Sequence, residues 1–338
     1  MPTKDELKML QCLPLEVKVL KTQQRIREWV THFGVDGVYV SFSGGKDSTV
    51  LLHLVRELYP DVEAVFVNTG LEYPEIQRFV KTFDNVRILY PKKTFKQVIS
   101  EYGYPMIGKD IGKKINAARK GKEWALKFLE GRAEHNGELS CFNIKKYLPL
   151  LSVDFIISSK CCDIMKKTPI HKYERETQKL PIIATMTFES KVREHAWLIT
   201  GCNAFDSNHQ MSKPLSFWTE QDVLQYINEN NIAIASVYGS IAADKNGQTM
   251  FDDCGCKLCL TGCDRTGCIF CGFGAHLEKG EGRFERLKRT HPKQYDFCIN
   301  GGAYDTDGIW KPNEQGLGMG HVFDVLNSLY GEDFIKYK

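Results

Sequence analysis

The string SFSGGKDS (Ser41–Ser48) concentrates the features that hold a phosphate group. Gly44 and Gly45 permit backbone angles that other residues avoid, so successive amides can converge on one anion. Ser43, Ser48 and Thr49 add hydroxyl donors, and Lys46 adds a positive charge. A helix starting here would also aim its N-terminal dipole at the anion. The GxxxxGK[ST] pattern of kinases and GTPases is absent, so this is a different kind of phosphate loop. A Gly-Gly turn before a helix can be only a tight turn; the full string favours a site at Ser43, Gly44, Gly45, Lys46, Asp47 and Ser48.

Sulfur is the second concentration. There are 12 cysteines, and six of them lie between Cys254 and Cys271. In a reducing compartment such crowding reads as metal ligation or redox chemistry and not as disulfides. Cys161 and Cys162 are adjacent, and Cys268 and Cys271 form a CxxC. Adjacent thiolates diverge and serve one small ion poorly. A four-iron cube is wider, its corners accept neighbouring cysteines, and four thiolates are its usual ligand set. Zinc or reduced core thiols are the alternatives. Cys254, Cys256, Cys259 and Cys263 can hold a second metal, zinc first, or supply a reactive thiol, or do neither. Cys12, Cys141, Cys202 and Cys298 read as scattered thiols.

The elements around these residues alternate. Residues 5–33 read as helical, with Val19, Ile26 and Val30 on one face. Asp36–Ser43 reads as a buried strand. Leu51, Leu54, Val55 and Leu58 then follow the i, i+3, i+4, i+7 spacing of a helix packed on a sheet. Val62–Gly70 reads as a strand, PEIQRFVKTF as a helix with Pro74 in its first turn, NVRILYP as a strand and TFKQVISEYG as a helix. This rhythm predicts a parallel α/β sheet with right-handed crossovers. It breaks over residues 104–150, where a basic helical stretch intervenes, and returns as strands at Val153–Ser158 and PIIATMTF. Thr219 reads as an N-cap with Asp222 completing a capping box. Val322, Val325, Leu326 and Leu329 mark a last helix. The expected domains are a helical segment 1–34, an α/β domain 35–232 and a Cys-rich module 233–338.

With these motifs in hand, the chain resembles the phosphoadenosine phosphosulfate (PAPS) and adenylyl sulfate (APS) reductase-like family of the PP-loop superfamily. SGGKDS is similar to the PP-loop signature, and FVNTGLEYPE (Phe66–Glu75) resembles the family's second-strand motif. SKCCDIMKKTP, TFESKVREHAWLITGC, KPLSFWTEQDVLQYI and RTGCIFCGFG extend the likeness over about residues 35–275. It implies a doubly wound, mostly parallel sheet with an adenine nucleotide at the strand ends, in line with the general rule for open α/β sheets. It adds Thr69 and Gly70 beside the nucleotide, and Arg193 of Glu-Ser-x-x-Arg at its phosphate or sulfonate end. A surface ion pair between Glu189 and Arg193 is the alternative for that arginine. The order Cys161-Cys162…Cys268-x-x-Cys271 resembles the [4Fe–4S]-binding pattern of the APS reductase branch, with Lys166 and Pro169 matching its continuation.

The family's reductases end in a Glu-Cys-Gly-Leu/Ile-His tail that carries the nucleophile, and this chain ends GEDFIKYK. Cys254, Cys256, Cys259, Cys263 and Cys298 are the candidate substitutes. Three functions follow. One is sulfonucleotide reduction by thiolate attack on PAPS or APS, with a thiol reductant. Another is an ATP pyrophosphatase, with Mg²⁺ and a sulfur donor, that adenylates and sulfurates a nucleic acid. The third is a non-catalytic nucleotide- or nucleic-acid-binding accessory. Two basic stretches, Lys109–Arg132 and Arg283–Lys293, read as solvated faces or as a polyanion surface.

Composition sets the outer bounds. Hydrophobic residues are 42% and charged residues 26%, which excludes global disorder. Lys and Arg number 45 against 42 Asp and Glu, a net +3 too small to specify a partner. No apolar run nears the roughly 18–20 residues of a membrane helix. The first residues are too charged for a secretory h-region. A cytoplasmic protein without membrane association is expected, its oligomeric state open.

Overall fold

The computed structural model describes residues 2–243 and 257–338. Contacts divide the chain into two units. The first comprises Met1–Asn68, Glu72–Tyr90 and Ile170–Thr266; the second comprises Thr69–Leu71, Pro91–Pro169 and Gly267–Lys338. The chain passes between them repeatedly, so the units do not follow the linear divisions 1–34, 35–232 and 233–338.

The first unit is built on a six-stranded sheet. Its strands are β1 (Val38–Ser41), β2 (Ala64–Val67), β3 (Val86–Leu89), β4 (Leu180–Ile183), β5 (Asn203–Ala204) and β6 (Met211–Ser212), in the order β3-β2-β1-β4-β6-β5. All neighbours run parallel except the edge pair β5–β6. The apolar runs do this work: Val38, Tyr39, Val40, Ala64, Val65 and Phe66 are buried. The helix Lys46–Leu58 buries Val50, Leu51, Leu54 and Val55. The mostly parallel α/β architecture follows the strand–helix rhythm of the sequence.

The N-terminal stretch is two helices, Lys4–Gln11 and Leu15–Phe33, parted at Pro14, which has no backbone N–H to continue a helix. The buried face of the second includes Lys18 and Thr22 beside Ile26, Trp29 and Val30. Lys18 Nζ meets Asp222 Oδ2 at 2.7 Å. Asp222 also accepts from the backbone and hydroxyl of Thr219, the N-cap of helix Glu220–Glu229. A charge therefore takes the core position that spacing assigned to Val19, because a carboxylate waits for it.

The second unit is mainly helical: Phe95–Tyr102, Lys109–Arg119, Glu123–Glu130, Arg283–Thr290, Pro292–Ile299 and Met319–Tyr330. The expected helix over the basic stretch breaks at Lys120–Lys122, where Gly121 adopts φ +72°. Val153–Ser158 is not a strand; Ile157 makes one isolated bridge to Tyr104. Short strands Met106–Ile107 and Gly272–Phe273 pair in parallel. Among the described residues no helix is long and apolar enough to cross a membrane.

In the first unit the residues just before β2 and β4 carry a polar network. Glu63 accepts from Tyr173, from Arg87 at 2.7 Å and from Lys179 at 3.0 Å. Burial pushes its carboxyl upward, but these three donors prevail and hold it at about 2. A depressed carboxyl contributes stability that is present above its unfolded value, 4.5, and is lost as pH falls toward 2. Glu63→Gln should therefore lower stability by about 1 kcal/mol at neutral pH, after allowance for solvent screening. The difference from wild type should vanish in urea titrations performed near pH 2.

Candidate functional site

The loop after β1 lies in the first unit and is shaped by one glycine. Gly44 has φ +71°, and a Cβ there would stand 2.7 Å from Val80 Cγ2 and 2.8 Å from Ile76 Cγ2. The turn lets the chain enter the helix at Lys46, with Gly45 as N-cap. Ser48 Oγ ties the loop together. It accepts from the Ser43 amide at 3.2 Å, pairs with Ser43 Oγ at 3.0 Å and donates to the Gly45 carbonyl at 2.9 Å.

One loop amide is already engaged by a side chain that the sequence gave no reason to place there. Lys46 N–H donates to the Tyr238 hydroxyl at 3.1 Å, and that hydroxyl pairs with Thr266 Oγ1 at 2.6 Å. Tyr238 is buried, and its phenol pKa is raised by that burial. The Lys46 side chain is 4% exposed. Its ammonium lies 3.2 Å from Glu220 Oε1, 3.5 Å from Asp47 Oδ1 and 3.2 Å from the Asp264 carbonyl. Burial would lower its pKa, but Asp47 and Glu220 raise it, so the charge is kept. The Asp47 carboxyl is pushed up by burial, against the pull of Lys46, and its Oδ1 is buried without a hydrogen bond.

Arg193 belongs to the same charge field. Burial and Arg265 lower its pKa while the Asp47 carboxylate opposes them. It forms the i,i+4 ion pair with Glu189, and Arg265 reaches the same carboxylate at 3.4 Å. The ion pair with Glu189 is present in the structure, and the Asp47 carboxylate acts on the same guanidinium. Ser190 caps its helix. Thr69 and Gly70 belong to the second unit. There Thr69 Oγ1 accepts the Leu71 amide at 3.2 Å, and Gly70 has φ +74°.

The second unit brings all four CxxC and Cys-Cys thiols to one cavity. Cys161, Cys162, Cys268 and Cys271 line it together with Leu71, Phe95, Pro105, Met165 and Lys166. Cys161 and Cys162 sit on a short helical turn, Lys160–Cys162, which widens into a π-helical turn at Asp163–Lys167. Such bulges recur at functional sites, and no periodicity rule reveals them. Gly272 lets the CxxC segment approach: a Cβ there would stand 2.5 Å from Met106 Sδ. Arg283 holds the Cys271 carbonyl at 2.9 Å. The Cys162 thiol is drawn below its ordinary value, chiefly by its hydrogen bond with the Cys161 thiol and then by Lys109 and Lys166, whereas burial pushes Cys271 up to about 11. Among the described residues no three His, Cys, Asp or Glu side chains converge on a single metal ion.

The remaining cysteines are dispersed. Cys254 and Cys256 lie outside the described residues. Cys259 is on a strand, Leu258–Leu260, and its thiol faces the Ala242 carbonyl at 3.5 Å. Cys263 is buried and donates to the Arg265 carbonyl at 2.8 Å. Cys298 is fully buried, donates to Met319 Sδ and has its pKa raised by desolvation.

A family model described as the phosphoadenosine phosphosulfate reductase domain matches residues 37–123 and 129–272. An uncharacterized protein of Methanocaldococcus jannaschii is 24% identical over 302 residues, covering 86% of this chain and 55% of its own. The phosphoadenosine 5'-phosphosulfate reductase of Xylella fastidiosa (strain M23) is 29% identical over 99 residues, 28% of this chain and 41% of its own. The chain thus spans about half the length of the curated relatives it matches. A PAPS reductase from Candida auris, solved as a phosphate complex, covers 70% of this chain and 91% of its own at 14% identity and a TM-score of 0.38.

The loop geometry makes a stability prediction. Gly44→Ala combines a left-handed backbone with two close contacts and should cost about 2–3 kcal/mol. Gly45→Ala, at φ −76° with its nearest contact 3.2 Å away, should cost less than about 1 kcal/mol. Denaturant midpoints of the two variants check the contrast.

Proposed function

Since the chain belongs to the phosphoadenosine phosphosulfate reductase domain family, we propose that it is an enzyme of nucleotide-dependent sulfur chemistry. In this reading it binds the phosphates of an adenine nucleotide at Ser43–Ser48 and holds a [4Fe–4S] cluster at Cys161, Cys162, Cys268 and Cys271. The observation that carries the reading is the gathering of those four thiols around one cavity from segments a hundred residues apart. Four sulfur donors spread around a space, not around a point, suit the corners of a cube. The apolar wall of Leu71, Phe95, Pro105 and Met165 keeps water from the thiolates. When bound, the cluster would supply electrostatic or redox support.

For the nucleotide, the loop offers the hydroxyls of Ser43 and Ser48, the Gly45 amide, which donates to Ser43 Oγ at 3.3 Å until a phosphate takes its place, and the field of Lys46, Arg193 and Arg265. Asp47, whose buried Oδ1 faces the Lys46 ammonium at 3.5 Å, would be the carboxylate nearest to a Mg²⁺ arriving with a triphosphate at the loop. The reaction we favour is attack of a thiolate on the sulfur of PAPS or APS. The new S–S bond forms as the sulfur–oxygen bond breaks, its electron pair leaving with the nucleotide phosphate. A second, external thiol then releases sulfite. Of the candidate nucleophiles among the described residues, Cys263 is the one whose chain neighbours touch the loop: Asp264 accepts from Lys46, and Thr266 pairs with Tyr238. A second reading, ATP-dependent sulfuration of a nucleic acid, is supported by the exposed lysines Lys113, Lys120, Lys122, Lys127, Lys145 and Lys146.

Anaerobic incubation with each nucleotide separates the two. Sulfite with AMP or 3'-phosphoadenosine supports the first; pyrophosphate release that requires nucleic acid supports the second; failure to bind either nucleotide overturns the site. Tyr238→Phe frees the Lys46 amide and should tighten adenine-nucleotide binding about three- to tenfold in calorimetry, the worth of one competing hydrogen bond. Cys271→Ser should abolish visible absorbance and lower the iron and sulfide content of anaerobically purified protein. A colourless wild type containing one zinc would overturn the cluster.

A further inference from the structure

The segment Lys109–Leu148 carries ten Lys and Arg against five Asp and Glu, an excess larger than the +3 of the whole chain. Its acids are largely consumed within it. Asp110 pairs with Lys114 at 2.6 Å, and Glu123 and Glu130 both pair with Arg132. Arg119 is turned inward onto the carbonyls of Leu150, Val153 and Phe155. What remains is mostly positive: Glu134 and Glu138 are exposed in the short strands at 134–139, against a larger set of cations. Lys113, Lys120, Lys122, Lys127, Lys145 and Lys146 are exposed and form no ion pair among the described residues.

Aromatic rings lie among these lysines. Trp124 is 46% exposed and Phe142 is 66% exposed. The row is held from beneath, because the buried Lys114 ammonium sits 4.3 Å from the Phe128 ring and 5.8 Å from the Phe142 ring. Trp124 meets Phe128 edge-on at 6.5 Å. Lys145 packs 3.4 Å from the Cβ position of Gly131, at the end of the helix bearing Trp124 and Phe128. Leu139 and Leu148 are also exposed in this segment, but the excess of cations around two exposed rings suits flat groups spaced along a polyanion.

We propose that this face binds single-stranded nucleic acid, with Trp124 and Phe142 stacking on unpaired bases and the six lysines tracking the phosphates. A duplex hides its base faces, so it satisfies the lysines but not the rings. The proposal stands apart from the reading of the nucleotide loop and does not need it.

The test is fluorescence anisotropy of the full chain with fluorescein-labelled single-stranded RNA, single-stranded DNA and duplex DNA, at several salt concentrations. Single strands should bind more tightly than duplex, with affinity falling steeply as salt rises. Trp124→Ala and Phe142→Ala should each weaken single-strand binding about tenfold while leaving the salt slope unchanged. Lys113→Gln with Lys145→Gln should flatten the slope and weaken all strands alike. The relative affinity of RNA and DNA names the sugar. Circular dichroism and thermal midpoints matching wild type show that these exposed substitutions leave the fold intact. Equal binding of duplex and single strands with no effect of the ring substitutions overturns the proposal, as does binding to anionic vesicles with none to nucleic acid. Loss of nucleotide binding in Lys46→Ala with strand binding retained separates this face from the loop.

Discussion

A positive charge cannot be left unpaired in a low-dielectric interior, and the buried ammonium of Lys46 organises the first unit around that constraint. Its partners come from three directions. Asp47 is its chain neighbour, Glu220 opens the helix Glu220–Glu229, and the Asp264 carbonyl belongs to the segment that also delivers Thr266. Each partner fixes a backbone position, and together they set the rim of the glycine turn. Lys18 and Asp222 repeat the device two residues further along the same helix. One helix terminus therefore anchors two buried cations, and its capping box holds the second acid in place.

The sheet and the loop were legible because their signals are local. Short apolar runs such as VYVS and AVFV can only be buried strands here, and a Gly-Gly turn between strand and helix admits few alternatives. Thr219 declared its helix through a cap whose partner is three residues away. The losses are where distant partners decide. Lys18 reads as solvated until Asp222 is placed against it. VDFIIS reads as a strand, yet its neighbours supply only one bridge. The helix Thr168–Thr177 is too polar to show a stripe, so its sequence gives no signal of it. The Tyr238 hydroxyl on the Lys46 amide spans 192 residues, and no spacing rule reaches it.

The cysteine pattern was legible in a different way. Adjacent thiols and a CxxC single out four sulfurs without placing them; the fold gathers them at one cavity, beside a π-helical turn and a glycine that admits Met106. The basic stretch shows the opposite case. Its charge count was plain, but which lysines stay uncompensated depends on Arg132 and Lys114 taking the acids.

The strand order has a consequence for synthesis on the ribosome. β1 pairs with β2 on one side and with Leu180–Ile183 on the other. At about 5–20 residues per second, the second neighbour emerges on the order of ten seconds after the first. Throughout that interval the nascent polypeptide displays a row of open main-chain donors and acceptors on an apolar ribbon, a template for joining another chain. Most of the stretch made in the meantime, Pro91–Pro169, joins the other unit, so this edge has no native partner until β4 arrives.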